Sequence, residues 1–208
     1  MVTVFDSEGC RAEEEIIINQ PAEIVVDLGD DIEIQLGESA LLEPFVGSIL
    51  PIDSIVYQPL TNLTCVDSSF CLEVMVAPLE SQVYSLTVFD ENGCSGSDDI
   101  LVEIDRNRNV FVPNAFSPNG DGINDLFRPF IGPGVANVNF MRVFDRWGEL
   151  VFSTDELPVF LPTDLDDSGW DGTLNGQLMN PGVYVYIIEV EFVDGIVLLF
   201  RGDVTLLY

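Results

Sequence analysis

The chain contains no histidine and no lysine, and its seven basic residues are all arginine, against 36 aspartate and glutamate residues. Without histidine or lysine it has no histidine proton shuttle, no lysine Schiff base and no Ser-His-Asp triad. The formal net charge of −29 repels phosphate backbones and anionic lipid surfaces. We therefore expect a protein that is not an enzyme and binds no nucleic acid, with partners that are neutral, cationic or metal ions.

Long apolar runs are missing as well. The sequence has no run of the roughly 18 apolar residues that a transmembrane helix requires, so we expect no membrane span. The first ten residues also lack the basic and apolar segments of a signal peptide. Since 47% of the residues are nevertheless apolar, the composition is that of a chain that folds.

Helical patterns are absent too, because no stretch of ten residues repeats its apolar positions at a helical period. Valine and isoleucine abound, and 17 glycines and 12 prolines interrupt them at short intervals, which favours β-strands joined by turns. The fold class we predict is all-β, with two immunoglobulin-like β-sandwich modules in tandem. The predicted strands are 24–26, 32–36, 40–42, 55–57, 72–76, 84–89 and 100–104 in the first module, and 110–112, 140–144, 149–152, 183–192 and 196–207 in the second.

Two predicted strands carry further information. In 84–88 apolar and polar residues alternate, which indicates one buried and one solvated face. In 183–192 one face is apolar throughout, while the other is apolar at its start and acidic at its end. We expect that strand to be central at its start and exposed at its end, and Asp194-Gly195 to form the hairpin turn that follows it.

An internal repeat suggests how the chain is divided. Residues 2–10 (VTVFDSEGC) and 86–94 (LTVFDENGC) are identical at six of nine positions, at an offset of 84 residues. Such self-similarity is typical of an array of modules, although two similar hairpins in one domain would give the same pattern. We predict that residues 1–18 end a preceding module of a longer protein, that 19–105 form a PKD-like or immunoglobulin-like module, and that 106–208 form the C-terminal domain. The last boundary lies at the polar segment 105–109 (DRNRN), where the net charge changes from −21 before residue 106 to −8 after it.

The four cysteines do not match a zinc site, since no histidine accompanies them. Cys65 and Cys71 are near enough in sequence for a local disulfide in an oxidising compartment, and buried thiols are the alternative. Cys10 and Cys94 occupy equivalent positions of the repeat, so we do not expect them to pair with each other.

Segment 117–125 (SPNGDGIND) partly matches a calcium loop. Oxygen-bearing side chains stand at the first, third, fifth and ninth positions of an EF-hand-type loop, with glycine at the sixth. The twelfth position, which should supply a bidentate carboxylate, is Arg128, and Asx turns explain the same residues without a metal. We expect turns and no cofactor, with calcium as the alternative. The candidate calcium ligands are Ser117, Asn119, Asp121 and Asp125.

Two tryptophans stand beside glycine, in 145–149 (DRWGE) and in 169–172 (GWDG). An exposed tryptophan could stack on a sugar, but we favour the interpretation that both rings cover the ends of a sandwich core, with Arg146 against the first. Adjacent acids such as Asp98 and Asp99, or Asp166 and Asp167, could form a glycosidase pair, but a solvated acidic surface is the better account.

The second half contains several separated motifs: VPNAFSPNGDGINDLF (112–127), FMRVFDRWGELVF (140–152), GWDG (169–172), PGVYVYIIEV (181–190) and GDVTLLY (202–208). In this order and spacing they resemble the gliding motility-associated C-terminal domain, which is the type B sorting domain of the type IX secretion system in Bacteroidetes. The first module less specifically resembles the PKD-like or immunoglobulin-like repeats of surface adhesins.

The resemblance implies a sorting signal without chemistry of its own. It implies export across the outer membrane to the cell surface or the medium, with the type IX translocon and an outer-membrane protein as partners. The first module would serve as a stalk or adhesin repeat, and a calcium- or carbohydrate-binding adhesion module is the alternative function. The motif residues predicted to lie in exposed turns and to serve recognition are Asn119, Asp121, Asp125, Asp145, Arg146 and Asp171.

Overall fold

The computed structural model describes residues 2–15, 23–66, 70–157 and 168–208. These residues form strands, turns and bends and contain no helix, so the all-β prediction is confirmed. The strands are β1 (Val2–Phe5), β2 (Arg11–Glu14), β3 (Val25–Asp27), β4 (Ile32–Gln35), β5 (Ala40–Leu42), β6 (Phe45–Gly47), β7 (Ile52–Gln58), β8 (Leu63–Cys65), β9 (Val74–Val76), β10 (Gln82–Asp90), β11 (Ser95–Asp105), β12 (Val110–Phe111), β13 (Ala115–Phe116), β14 (Phe130–Ile131), β15 (Val135–Phe144), β16 (Leu150–Leu157), β17 (Thr173–Leu174), β18 (Gln177–Leu178), β19 (Gly182–Phe192) and β20 (Val197–Leu206).

The first module is built around a four-stranded sheet of order β4-β11-β10-β7, in which only β4 and β11 run parallel. Smaller sheets β3-β6 and β5-β9-β8 complete the sandwich. The alternation in 84–88 is confirmed, because Tyr84, Leu86 and Val88 are fully buried while the residues between them are half-buried. One hydrophobic core extends from Ile24 to Ile104.

Two strands of the first module were not predicted. Strand β6 is three residues long, and so is β8, which ends at Cys65. Strand β6 pairs with β3, and β8 pairs with the next strand along the chain, β9. Three residues are too few to show an alternation of apolar and polar positions, so periodicity did not indicate these two strands.

The second module is built around a five-stranded sheet of order β13-β20-β19-β15-β16, again antiparallel except for β13 with β20. Its core is separate from the first and extends from Phe116 to Leu206. The predicted Asp194-Gly195 turn joins β19 to β20, with the Gly195 amide donating to the Phe192 carbonyl at 2.8 Å. The buried face of β19 carries Tyr184, Ile188, Val190 and Phe192.

The prediction that β19 is exposed at its end was wrong, because Glu189 and Glu191 there are half-buried. The strand is central in the strand order, with a neighbour on each edge along nearly its whole length. Its second face is uncovered at its start instead, where Val183 is 56% and Val185 46% exposed. Apolar residues on both sides of the strand at its start therefore did not indicate a second packed layer there.

A tight contact joins the two modules. The turn after β4 meets the turn before β15 so closely that a β-carbon at Gly37 would lie 2.4 Å from the Gly134 amide nitrogen. Asn109 donates to the Gln35 side chain at 3.2 Å. Within the second module, Arg108 forms an ion pair with Asp194 in the β19–β20 turn. Residues 106–109 lie in no strand. We call the part of the second module around Asn109 and Gly134 the junction end. The opposite part, which holds the loop 117–125 and the turn after Phe144, is the distal end.

Candidate functional site

An aromatic cluster fills the second core. Trp170 is fully buried, with its ring centroid 5.2 Å from that of Phe116 and 4.8 Å from that of Tyr184. Phe127 lies 5.8 Å from Phe116 and pairs with Trp170 through two backbone hydrogen bonds. The Trp170 indole donates to the Thr173 carbonyl at 2.9 Å. Since aromatic pairs add to the energy of apolar burial, the motif residues in this cluster stabilise the fold.

The loop 117–125 folds around its own side chains. The two carboxylate oxygens of Asp125 accept hydrogen bonds from the Gly120 and Gly122 amides at 2.8 and 2.7 Å. Asn119 accepts from the Asp121 amide, and Asp121 accepts from the Ile123 amide. The hydrogen bonds from Gly120 and Gly122 hold the pKa of Asp125 below its usual value. The bonds from the Asp121 amide to Asn119 and from the Ile123 amide to Asp121 are Asx turns.

The turn at Asp145 repeats a geometry found twice in the first half. The Asp145 carboxylate accepts from the Trp147 and Glu149 amides, each at 2.8 Å. Asp6 and Asp90 do the same with the amides two and four residues later. All three aspartates follow a phenylalanine and precede a glycine by three residues. The Asp145 side chain therefore closes a recurrent hairpin turn.

The two tryptophans have opposite environments. Trp170 is buried as predicted, but Trp147 is 81% exposed, so the packing interpretation was wrong for that ring. The Arg146 guanidinium lies 5.2 Å from the Trp147 ring centroid, in agreement with the expected contact. Trp147 occupies the turn position that Glu8 and Asn92 hold in the repeat. That equivalence is a sequence signal that could have predicted its exposure.

The predicted recognition residues gather at the distal end, through strand pairings that bring distant segments together. Phe116, which precedes the loop 117–125, pairs with Leu206 near the chain end. Phe144, which precedes Asp145, pairs with Val185 near the start of β19. Gly172, next to Asp171, packs against the side chains of Leu206 and Pro118, because a β-carbon there would lie 3.0 Å from Leu206 and 3.1 Å from Pro118.

The distal end carries exposed apolar side chains among its acids. The Tyr208 hydroxyl donates to the Met179 carbonyl at 2.8 Å, and the Tyr184 hydroxyl donates to Asn180 at 2.8 Å. Burial raises the pKa of Tyr184, and Tyr208 and Asp145 raise it further. The large apolar side chains exposed here are Ile123 at 66%, Trp147 at 81%, Leu178 at 67%, Leu207 at 48% and Tyr208 at 54%.

Asp171 holds a local turn as well. Its carboxylate accepts from the Thr173 amide at 2.9 Å and from the Thr173 hydroxyl at 2.8 Å. Asp98, one of the acids considered for a glycosidase pair, accepts from the Leu28 amide at 2.8 Å. Asp166 and Asp167 lie outside the described residues.

The remaining predicted sites concern metal and sulfur. Within the ranges that the structure describes, no three histidine, cysteine, aspartate or glutamate side chains form a group able to hold a metal ion. Cys65 and Cys71 are joined in a disulfide with their Cα atoms 4.9 Å apart. Cys10 is a free, exposed thiol and Cys94 a free, half-buried one.

Comparison with known protein families decides the nature of the second module. Residues 110–196 match the family model described as CHU_C Type IX secretion signal domain. The second module is a type IX secretion signal domain. The match begins at β12, covers the aromatic cluster and most of the distal-end segments, and ends within the β19–β20 turn.

Several solved structures match most of the chain at low similarity. The D00-D0 domain of Intimin is 9% identical with a TM-score of 0.36, over 89% of this chain and 100% of that one. The fibronectin(III)-like modules of Clostridium thermocellum CbhA are 11% identical with a TM-score of 0.30, over 88% and 93%. Dimeric latent PorU from Porphyromonas gingivalis is 13% identical with a TM-score of 0.30, over 90% of this chain and 20% of PorU. No curated protein matches the chain.

The signal domain gives the chain a role as a sorting signal in a protein exported to the cell surface or secreted. Handling by the type IX secretion system follows from the same match. Searching the described segments for a helix long and apolar enough to cross a membrane gave none.

Proposed function

We propose that the type IX secretion signal domain is recognised as a folded unit through its distal end, without catalysis and without a bound cofactor. The partners we propose are the translocon and an outer-membrane protein that receives the exported chain. The single observation that carries the proposal is the gathering of the separated motif segments at the end of the sandwich opposite the first module. A surface placed there stays accessible while further modules lie behind it.

The motif aspartates contribute to this surface indirectly. Their carboxylates are engaged by amides of their own turns, as in the bonds from Gly120 and Gly122 to Asp125. They shape the loops, and the exposed side chains those loops present make the contact. Exposed apolar side chains with a polar rim are typical of protein-binding surfaces, and Ile123, Trp147 and Leu178 provide them here.

For the first module we propose the role of a stalk or adhesin repeat that carries no active site. Residues before 106 combine 22 acids with one arginine, so neighbouring modules repel one another and stay apart. A disulfide closes the segment after β8, which suits an oxidising extracellular environment. The Gly37–Gly134 contact and the hydrogen bond from Asn109 to Gln35 hold the signal domain against this module.

The test is export of a fluorescent reporter in a gliding bacterium with a type IX system. The reporter is placed between a signal peptide and residues 1–208, and its fraction outside the outer membrane is measured. Deleting residues 106–208 should abolish export, and residues 106–208 alone should restore it. Export that persists after the deletion would contradict the sorting role.

A matched pair of variants then tests the distal end. Ile123→Ser combined with Leu178→Ser should reduce export, because these residues are exposed and hold no core. The control is Val197→Ser combined with Leu199→Ser, on residues 48% and 53% exposed on the outer face of the sheet. Equal export of the two double variants would refute recognition at the distal end and leave the sorting role standing.

The second candidate function is a carbohydrate- or calcium-binding adhesion module. One observation favours it: the Trp147 ring is 81% exposed, and such a ring can stack on a sugar. A glycan array and a calcium titration of the whole chain separate the two functions. Glycan binding that Trp147→Ala abolishes, in a chain still exported normally, would establish the adhesion function instead.

A further inference from the structure

The hairpin β1–β2 reproduces the hairpin β10–β11 in its backbone pairing. At the repeat offset of 84 residues, the Cα pair Val2↔Glu14 corresponds to Leu86↔Asp98, and the two pairs between Val2 and Phe5 correspond in the same way. The last pair, Phe5↔Arg11, corresponds to Phe89↔Ser95. The repeat is therefore one of structure as well as of letters.

The turns of the two hairpins agree as well. Asp6 accepts from the Glu8 and Cys10 amides at 2.9 Å each, and Asp90 accepts from the Asn92 and Cys94 amides at 2.9 Å each. The backbone bonds that close each turn also correspond, from Asp6 to Cys10 and from Asp90 to Cys94. The two hairpins therefore have the same hydrogen-bonded turn.

What differs is the cover over the apolar side chains. Leu86 and Val88 are fully buried, with β7 on the open edge of β10, where Leu86 pairs with Tyr57. Their equivalents Val2 and Val4 are 51% and 62% exposed. A lone two-stranded hairpin is only marginally stable in water, and exposed apolar residues on it need a third strand or a packed layer.

We propose that Val2–Glu14 is the closing hairpin of another module of the first module's kind. The occupant of its apolar face is a sandwich body like that of residues 23–84, with a β7-like strand paired to β1 and a core that takes up Val2 and Val4. In repeat arrays each unit buries its apolar face only against its own remaining strands or a neighbour. The inference rests on the repeat alone and does not depend on the sorting role.

One position shows how closely such a body must fit. A β-carbon at Gly96 would lie 2.3 Å from the Ile24 carbonyl oxygen, so the first module needs glycine there. The equivalent residue in the first hairpin is Ala12. A copy of residues 23–84 therefore fits over the hairpin without this clash when Ala12 is changed to glycine.

The experiment supplies that body. Residues 23–84 are placed directly ahead of Met1, the equivalent of Ser85, in the full chain carrying Ala12→Gly. We expect an additional cooperative unfolding unit, and amide hydrogen exchange at Thr3 and Val4 slowed by about 100-fold, as in a protected core strand. Keeping Ala12 in the same chain should weaken both effects. Val4→Asp should remove both, while leaving the unfolding of the chain without the insert unchanged.

The control insert is residues 23–105, which brings its own hairpin and should fold while leaving the Thr3 and Val4 amides in fast exchange. If this control folds and the shorter insert stays protease-sensitive, the proposal is overturned. It is also overturned if the unaltered chain already protects these amides by forming a dimer through the hairpin, seen in sedimentation. The proposal is overturned as well if the Thr3 and Val4 amides exchange as slowly with the control insert as with the shorter one. Their protection would then not come from the strands that the shorter insert supplies.

Discussion

Trp170 and Trp147 stand beside glycines in two motifs of the same domain, yet one is fully buried and the other is 81% exposed. Trp170 lies between Phe116 and Tyr184 and donates to a backbone carbonyl. Trp147 lies at the tip of a hairpin turn with the Arg146 guanidinium over its ring. The comparison teaches that the motifs of this family mix residues that hold the fold with residues that are free to meet a partner.

The same division holds for the polar motif residues. Asp125, Asp145 and Asp171 all accept hydrogen bonds from amides of their own turns, so each is committed to local structure. Arg146 and Trp147 receive no backbone bond at their side chains from these turns and point away from the core. Substitutions that separate fold from recognition should therefore follow burial rather than membership of a motif.

The largest effect should come from Trp170→Ala. Removing a fully buried tryptophan opens a cavity and leaves the Thr173 carbonyl without its indole donor, at a cost of about 3–5 kcal/mol, a large part of a domain's stability. We expect the second core to unfold at lower denaturant concentration, measured by urea unfolding, and export to fall with the folded fraction. Trp170→Phe is the control, and it should lose less than half of the free energy of unfolding that Trp170→Ala loses. A chain with Trp170→Ala that unfolds like the unaltered one would break the comparison.

The next effect concerns the junction end. Gly134 is buried at a φ of +89°, and a β-carbon there would lie 2.5 Å from the Leu36 carbonyl oxygen. We expect Gly134→Ala to cost about 1–3 kcal/mol and to loosen the two modules, seen by small-angle scattering as a wider distribution of lengths. Gly93→Ala is the control, because Gly93 has a φ of +80° and open space around it. Equal losses in the two variants would mean that the junction contact contributes nothing beyond backbone strain.

Much of the fold could be predicted, because the long strands show their periodicity. Alternation identified 84–88, and the Asp-Gly pair identified the β19–β20 turn. The short strands could not be found this way. Ala115–Phe116 is two residues long and pairs with Thr205 and Leu206, far along the chain. Such pairing depends on the finished sheet and leaves no local pattern.

The residues of the candidate site could be predicted from the sequence, but their meeting at one end of the sandwich could not. Asn-Gly and Asp-Gly pairs indicated the turns at 117–125, and the structure has them as Asx turns. That these turns meet Asp145 and Asp171 at one end follows from the order of strands in the sheet, which sequence spacing does not reveal. The exposure of Trp147 was missed because a glycine beside a tryptophan says nothing about which side of the turn the ring occupies.

A smaller effect should follow acidification of the loop 117–125. The folded pKa of Asp125 is held below its usual value by the amides of Gly120 and Gly122. The stabilisation is therefore present above the ordinary aspartate pKa of about 3.9 and is lost as the pH falls through the lower folded value. We expect the NMR shifts of these two amides to titrate with a midpoint below that ordinary value, and Asp125→Asn to abolish the titration.

Asp6 offers a matched reporter in the same sample. Hydrogen bonds from the Cys10 and Glu8 amides lower its pKa too, so the Glu8 and Cys10 amide shifts should titrate in the same direction. Asp125→Asn should leave that second titration unchanged. If the Gly120 and Gly122 amide shifts titrate with a midpoint at or above the ordinary aspartate pKa, the Asp125 carboxylate does not hold this loop. It would then be available to a partner.

The smallest effect on stability should come from Trp147→Ala, and this variant tests the comparison most sharply. The ring is exposed and its contact is with Arg146 alone among the aromatic and cationic contacts of the described residues, so the free energy of unfolding should change by no more than about 0.5 kcal/mol. Export should nevertheless fall at least about tenfold if the ring is a central contact for the secretion machinery. Unfolding and export are measured on the same variant, with Val197→Ala, 48% exposed on the outer sheet face away from the distal end, as the matched control. Because a folded, unexported chain cannot arise from lost stability, that combination assigns the defect to recognition, whereas normal export would place the recognised surface away from Trp147.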